Sequence, residues 1–210
     1  YDGWVSTFLV KLQQELSATI KDKLSIYLDR RPEEDQPEAT EIDGVIQPKV
    51  KSLIFIPIIS QTYCDLTSPI WTREFSPFLA ATKTDPVGPV IKLPNGNAAS
   101  RVIPVKIHEI DREDVKLLES QLAGVMRSID FIYREEGVNR PLHPADDDKN
   151  LNIQRPLYRN QINKLANAIK EIVTGIKQKS QQAPAAASSY QPTARQIVPN
   201  IQSTAVSPSI

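Results

Sequence analysis

The residues best suited to chemistry in this 210-residue chain lie in one short stretch, residues 60–75. The stretch contains one carboxylate at the predicted start of a helix, Glu74, and two flat rings, Tyr63 and Trp71. It follows an apolar run, residues 53–59, whose length and β-branched side chains predict a fully buried strand. Because ligands in open α/β sheets bind outside the carboxyl ends of the strands, this strand-to-helix junction is the predicted position of a site.

Composition excludes several classes of function. Acidic and basic residues balance at 25 each, so the chain has no electrostatic footprint for nucleic acid. The seven glycines are scattered, so no Gly-rich phosphate loop or dinucleotide fingerprint is present. The single cysteine, Cys64, fits a reducing compartment, and no apolar run approaches the roughly 20 residues that span a bilayer. We therefore expect a cytoplasmic protein that binds neither nucleic acid nor membrane.

Metal and phosphoacceptor sites are not predicted either. The two histidines, His108 and His143, have no metal-ligand spacing with Cys64, so we interpret them as surface or hydrogen-bonded structural residues. The acidic run at residues 146–148 lacks the Gly and the terminal Glu of a calcium loop, which favours a solvated loop. A response-regulator receiver is excluded because it needs a phosphoaccepting Asp at the end of its third strand. The corresponding strand here, residues 53–59, is followed by Ser60.

Hydrophobic periodicity predicts an α/β chain in which strands and helices alternate. The predicted helices cover residues 4–20, 45–50, 70–82, 111–127 and 158–177. The predicted strands cover residues 24–28, 53–59, 90–93, 102–107 and 129–133. An Asn95-Gly96 turn signal lies between the third and fourth of these strands. The polar residues 134–156 are interpreted as a loop.

In this order, the segments resemble a Toll/interleukin receptor (TIR) domain, particularly of the bacterial branch. That family has a strand ending in Ser, then a Tyr, then Ser-x-Trp-Cys-x-x-Glu at the start of the third helix. Ser68 and Glu74 reproduce this spacing, with Ile70 at the Trp position and Trp71 at the Cys position. The resemblance implies a flavodoxin-like fold in which helices flank a parallel sheet.

The resemblance also bears on domain organisation. A TIR domain begins with a strand that is central in its sheet, whereas this sequence begins with a predicted helix. We therefore expect residues 1–177 to form a TIR domain without its first strand, which would leave two neighbouring strands with unpaired edges. Residues 178–210 are rich in Gln, Ala, Ser and Pro, which predicts a disordered tail or linker.

The resemblance implies an activity, because enzymatic TIR domains hydrolyse NAD+ with a glutamate at the position of Glu74. A carboxylate near the ribose can stabilise the oxocarbenium-like state that forms when nicotinamide leaves. NAD+ would be the substrate, and no separate cofactor is implied. The substrate-binding residues that the resemblance implies are Tyr63, Trp71, Asp29, Arg30 and Ser60. Asp29 and Arg30 belong to a charged segment that resembles the family's BB loop.

Two alternatives remain open for this chain. Without the resemblance, a glutamate in the first turns of a helix is most often a favourable partner of the helix dipole on a solvated face. Many TIR domains are assembly modules that catalyse nothing, and the charged segment at residues 30–41 suits contacts between protomers. The bacterial resemblance favours antiphage defence by NAD+ depletion. Its implied partners are other TIR protomers and a sensor linked through residues 178–210.

Overall fold

A computed structural model describes residues 2–28, 52–122, 126–149 and 157–182 of the chain. The helices are α1 (Asp2–Thr19), α2 (Ser76–Thr84), α3 (Arg112–Leu122), α4 (Pro144–Lys149) and α5 (Leu157–Gln182). The strands are β1 (Ile58–Ile59), β2 (Val90–Lys92), β3 (Ala98–Ser100), β4 (Val105–Lys106), β5 (Ile129–Asp130), β6 (Ile132–Glu135) and β7 (Val138–Pro141). Among these residues, the fold is α/β, with a three-stranded parallel sheet flanked by helices.

The parallel sheet has the strand order β1-β4-β5. Ile58 pairs with Val105, and an isolated bridge between Phe55 and Val102 extends the same register upstream. The Phe55 N–H donates to the Arg101 carbonyl at 2.9 Å, and the Val105 N–H donates to the Pro57 carbonyl at 2.9 Å. Pro57 has no N–H to donate, so the ladder is interrupted there. The predicted strand at residues 53–59 therefore forms as two short pieces and is only partly buried.

The predicted strand at residues 24–28 is wrong, because this segment pairs with no other described residue as a strand. Ile26 and Tyr27 are 41% and 64% exposed, although their side chains favour strands. Strand propensity reflects packing against a partner strand, and alternation alone does not supply that partner. The segment lines the same cavity as the edge of β1, which is described below.

Two antiparallel hairpins accompany the sheet. β2 pairs with β3 across the predicted Asn-Gly turn, in which Gly96 has a φ of +85°. The strand predicted at residues 102–107 instead supplies β4 of the parallel sheet. The second hairpin, β6 with β7, turns at Gly137 with a φ of +74°. The first half of β6 lies within the strand predicted at residues 129–133, whereas the rest of the hairpin lies where a loop was predicted. The residues of that remainder are mostly polar, so alternation did not reveal them.

The main core lies between α1, α5 and the sheet. Trp4, Phe8, Leu12 and Leu16, spaced by four residues along α1, are all buried, as predicted for one apolar face of a helix. The Trp4 indole N–H donates to the Leu142 carbonyl at 2.8 Å, which satisfies the polar atom of a buried ring. α5 contributes the predicted face, and its buried members are Ile162, Leu165, Ile169, Ile172 and Ile176.

A buried arginine fixes the start of the segment that becomes β1. Arg101 is 2% exposed, and its guanidinium donates to the carbonyls of Leu53 at 2.7 Å and Ser52 at 3.0 Å. It also forms an ion pair with Asp85 at 2.8 Å, just after α2. Buried charges are normally paired in this way. Arg101 thereby ties the beginning of the β1 segment to the end of the helix that carries the candidate site.

The last helix is longer than predicted. α5 continues to Gln182, past the predicted end of that helix at Lys177. The rest of the predicted tail, the predicted helix at residues 45–50 and the charged segment at residues 30–41 lie outside the described residues. No helix in the described part of the chain is long and apolar enough to cross a membrane.

Candidate functional site

The loop that follows β1 is shaped by turns of its own residues. The Tyr63 N–H donates to the Ser60 carbonyl at 3.2 Å, which closes the first turn after the strand. The Asp65 carboxylate accepts the Thr67 N–H at 2.9 Å and the Thr67 hydroxyl at 2.7 Å, an arrangement typical of Asx turns. These local bonds set the path of the chain from the end of the sheet to the next helix.

Ser68 and Pro69 start that helix. The Ser68 hydroxyl accepts the Trp71 N–H at 3.2 Å, and the Ser68 carbonyl accepts the Thr72 N–H at 3.0 Å. A serine N-cap followed by proline at the first helical position is a strong start signal, because proline has no N–H that would be left unpaired there. These two residues determine where the helix begins, with Pro69 five residues before Glu74.

A π-helical turn, Trp71–Phe75, carries Glu74. The Ser76 N–H donates to the Trp71 carbonyl, five residues back. Pro77 follows directly, and in a regular α-helix its ring would clash with the carbonyl of Arg73, so the wider turn accommodates it. Single π-helical turns inside helices are frequent at functional sites. The interruption predicted from Pro77 thus takes the form of a widened turn at the candidate carboxylate.

Trp71 is buried beneath this turn rather than at the cavity. Its side chain is 5% exposed, and its ring centroid lies 4.7 Å from that of Phe75 and 6.3 Å from that of Tyr63. These rings belong to a second core cluster around Ile59. Trp71 does not line the cavity among the described residues, so its contact with the site is indirect, through the Tyr63 ring that it packs against.

A cavity of about 910 Å³ is lined by β1 and by residues of the candidate site. Its walls come from α1, residues 23–28 and residues 52–58. Apolar wall residues include Leu9, Leu12, Leu24, Ile26, Ile56 and Ile58. Ser60, Tyr63, Arg73 and Glu74, which follow the carboxyl end of β1, line the cavity too, and further polar lining residues elsewhere are Lys23, Ser25, Tyr27 and Ser52. A mostly apolar cavity with a few convergent polar groups is the usual form of a small-molecule site.

Tyr63 combines burial with an unsatisfied hydroxyl. The residue is 4% exposed, and its hydroxyl finds no hydrogen-bond partner in the described part of the chain. Burial raises the pKa of the Tyr63 phenol well above its ordinary value, and the charges of Glu74 and Cys64 raise it further. Tyr63 is therefore protonated at any physiological pH and can donate its hydrogen.

The two groups next to Tyr63 differ in what they offer. Glu74 is half-buried, lines the cavity and takes part in other interactions within the protein. Cys64 is a free, buried thiol whose pKa is raised to about 11, mainly by burial and then by the charge of Asp114. Since the thiolate is the reactive form, Cys64 is poorly suited to act as a nucleophile at neutral pH.

The structure brings together part of the predicted site. Ser60, Tyr63 and Glu74 line one cavity, whereas Asp29 and Arg30 lie outside the described residues. Arg73 also lines the cavity and was not predicted as a site residue. The only signal for it in the sequence is a cation next to Glu74, which by itself is ordinary on a helix surface.

His108 and Asp147 have structural roles, whereas His143 is exposed. His108 is buried, and its Nδ1 lies 3.2 Å from the Asn139 carbonyl, as predicted for a hydrogen-bonded histidine. Asp147 accepts the N–H groups of Tyr158 at 2.7 Å and Arg159 at 3.0 Å, capping α5. Residues 146–148 lie in α4, so the prediction of a solvated loop for this acidic run is wrong. Within the described ranges, no group of three or more His, Cys, Asp or Glu could hold a metal ion.

Comparisons with known proteins do not assign this chain to a family. No model of a known protein family matches it. No curated protein and no solved structure matches it either. The function must therefore be argued from the site itself.

Proposed function

We propose that this chain is a TIR-type NAD+ glycohydrolase with a flavodoxin-like fold. The observation that carries the proposal is that Glu74, Tyr63 and Ser60 line one cavity at the carboxyl end of a parallel strand. This is the position at which α/β sheets bind ligands. The family pattern around Ser68 and Glu74 supplies the reaction, since it places a glutamate where enzymatic TIR domains use one.

The chemistry needs little from the protein besides a placed carboxylate. The bond between nicotinamide and C1′ of the ribose breaks, and nicotinamide leaves with the bonding electron pair as a neutral molecule. Positive charge develops at C1′ and the ring oxygen, and the Glu74 carboxylate stabilises it in a partly desolvated site. Water then adds to C1′ and releases a proton, giving ADP-ribose. Because nicotinamide is a good leaving group, no strong general acid is required.

The remaining groups at the cavity suit the other parts of NAD+. Arg73 is exposed beside Glu74 and lines the cavity, where a guanidinium can pair with a diphosphate. The apolar walls can bury flat aromatic rings. Asp29 and Arg30 remain proposed rim residues, and Trp71 supports the site from below by packing against Tyr63.

We further propose that self-assembly activates the enzyme in the cytoplasm of a bacterium, as part of defence or signalling. A sensor linked through residues 178–210 would cluster the protomers. The second candidate function, a non-catalytic assembly module, is favoured by one specific observation: among the described residues, β1 is an edge strand of the parallel sheet. Unpaired strand edges are surfaces for association between chains.

The first test is NAD+ consumption by the purified chain, alone and artificially clustered through its tail, in wild type and Glu74→Gln. Glutamine keeps the size and removes the charge, so we expect nicotinamide release to fall on the order of 100- to 1,000-fold. The matched control is Glu171→Gln, the same change at an exposed position of α5, which should leave the rate unchanged.

Two results would decide between the candidate functions. Loss of nicotinamide release in Glu74→Gln alone, with folding intact by circular dichroism, supports the hydrolase. If clustered, folded wild type releases no nicotinamide, the hydrolase is excluded and the assembly module becomes the better reading. Equal rates in wild type and Glu74→Gln would show that Glu74 is not catalytic.

A further inference from the structure

The edge of the parallel sheet next to the cavity carries unpaired backbone groups. Alternate residues of the segment that leads into β1 bond to β4 and the residues before it, at N···O distances of 2.9–3.0 Å. Successive residues of a strand direct their N–H and C=O groups to opposite sides, so those of Ile54, Ile56 and Ile58 are directed away from β4. Within the described residues, β1 has no second neighbouring strand, and residues 52–58 line the cavity.

A second segment with the pattern of a strand, residues 24–28, lines the same cavity. Its apolar residues recur at every second position, at Leu24, Ile26 and Leu28, which is typical of a strand. In the described part of the chain it pairs neither with the segment that leads into β1 nor with any other strand. A strand that lay between the two segments could pair with both, because a strand has donors and acceptors along each side.

The cavity also draws its walls from both faces of the sheet. Ile58 packs against the main core and Ile59 belongs to the second core cluster. Since adjacent strand residues point to opposite faces, the two clusters lie on opposite faces of the sheet. The cavity is lined by Leu12 from the main core and by Phe78 from the second cluster. A parallel strand that is covered on both faces is typically a continuous run of Val, Ile and Leu.

The direction of α1 indicates how such a strand would be connected. The Trp4 indole N–H donates to the Leu142 carbonyl at 2.8 Å, and its ring centroid lies 5.8 Å from that of Phe131, which directly follows β5. The Phe131 N–H donates to the carbonyl of Lys106, the last residue of β4, at 2.7 Å. α1 therefore begins at the carboxyl end of the parallel sheet, where a parallel strand in the cavity would also end.

We propose that the cavity is the slot of one apolar β-strand that precedes α1 and is joined to it by a short loop. The strand pairs with residues 54–58 on one side and with residues 24–28 on the other, which adds two strands to the three of the parallel sheet. Strand, α1 and residues 24–28 then form a βαβ unit of consecutive neighbours. A strand paired with residues 54–58 stops short of Ser60 and Glu74, so the inference does not depend on NAD+ hydrolysis.

The test is amide hydrogen exchange, measured by NMR on the full chain with a designed segment added before residue 1. The segment is a run of about six Val and Ile residues followed by a Gly-Ser loop. We expect exchange at the amides of Ile54, Ile56 and Ile58 to slow on the order of 100-fold or more relative to the chain without the segment. A segment with proline at alternate positions should give no protection, because proline cannot donate to a ladder.

Two variants of α1 locate the added strand. Val5 lines the cavity, so Val5→Lys in the extended chain places a charge in the slot and should abolish the protection. The matched control is Val10→Lys, because Val10 is 54% exposed on the same helix and does not line the cavity. It should leave the protection intact. Circular dichroism establishes that both variants are folded.

The opposite results are equally distinct. Rapid exchange of the three amides in the folded, extended chain would overturn the inference, as would slow exchange in the chain without the added segment. Protection that survives Val5→Lys would place the strand outside the cavity. If the same segment protects these amides only as a separate peptide, the strand comes from a partner chain and the proposed connection to α1 is wrong. None of these readouts involves NAD+, so failure here leaves the hydrolase standing.

Discussion

Asp146 is a carboxylate held almost wholly inside the protein. It is 3% exposed, and its two oxygens accept from the Arg140 guanidinium, each at 2.9 Å. It also accepts the His143 N–H at 2.8 Å. The hydrogen bonds from Arg140 lower the pKa of Asp146 below its ordinary value, although burial opposes them. These hydrogen bonds join β7 to the start of α4.

This arrangement predicts a pH-dependent contribution to stability. Because the folded pKa of Asp146 is depressed, its contribution is fully present above the unfolded value of about 4 and is lost as the pH falls through the folded pKa. We expect Asp146→Asn to lower the free energy of unfolding by about 2 kcal/mol at pH 7. The difference from wild type should shrink steadily below about pH 4. Urea unfolding at several pH values measures it.

The control for Asp146 is an ion pair on the surface. Asp22 pairs with Lys177, and both side chains are about half exposed. Exposed pairs contribute roughly 0–1 kcal/mol, so Asp22→Asn should change stability little at any pH. A gap between wild type and Asp146→Asn that stayed constant down to pH 2 would contradict the linkage.

At the scale of elements, α5 lies very close to the β2–β3 hairpin at one residue. A Cβ on Gly175 would lie 2.6 Å from Ile91 Cγ2 and 2.6 Å from the Lys92 carbonyl oxygen. A backbone oxygen cannot rotate away as a flexible side chain can. We therefore expect Gly175→Ala to destabilise the fold by about 1–3 kcal/mol, despite the better helix propensity of alanine.

Gly3 in α1 provides the matched substitution. A Cβ there would meet no atom within 4 Å, so Gly3→Ala should leave stability unchanged or raise it by up to about 1 kcal/mol. Chemical denaturation with an unchanged slope isolates both effects. Equal stability of the two variants would show that α5 moves away from the hairpin at no cost.

The elements that the sequence predicted well are those whose own residues determine them. α1 and α5 carry long amphipathic patterns, and the Ser68-Pro69 cap starts its helix by local bonds. The segment at residues 24–28 was wrong because a strand needs a partner, which no pattern within one segment reveals. The prediction of a loop at residues 134–156 missed β7, since its pairing with β6 depends on Gly137 and on contacts across the turn.

The candidate site was also predictable only in part. A strand followed by a capped helix places Ser60, Tyr63 and Glu74 at one end of the sheet, which follows from α/β topology. The burial of Trp71 did not follow, because which side of a helix faces the core depends on the π-helical turn that Pro77 accompanies. The exposure of Arg73 at the same cavity has the same origin.

At the scale of the whole molecule, the open side of β1 is the feature that connects folding, assembly and the site. In a parallel ladder the backbone groups of alternate residues point to opposite sides, so those of Ile54, Ile56 and Ile58 point away from β4. Residues 52–58 line the cavity, and β1 is an edge strand among the described residues. Leu53 at its start is 49% exposed.

An apolar, unpaired edge of this kind predicts self-association of the chain. We expect Leu53→Lys to reduce concentration-dependent association, because a lysine at the edge opposes further strand pairing. Val90→Lys is the matched control, since Val90 is 52% exposed but lies on the β2–β3 hairpin, away from the cavity. Sedimentation velocity over a range of protein concentrations measures the difference.

Two outcomes decide the role of the edge. If Val90→Lys reduces association as much as Leu53→Lys does, the association is due to general surface hydrophobicity and not to the edge of β1. Leu53 also lines the cavity, so a fall in nicotinamide release in Leu53→Lys shows control by assembly only if artificial clustering through the tail restores the rate while Glu74 is intact.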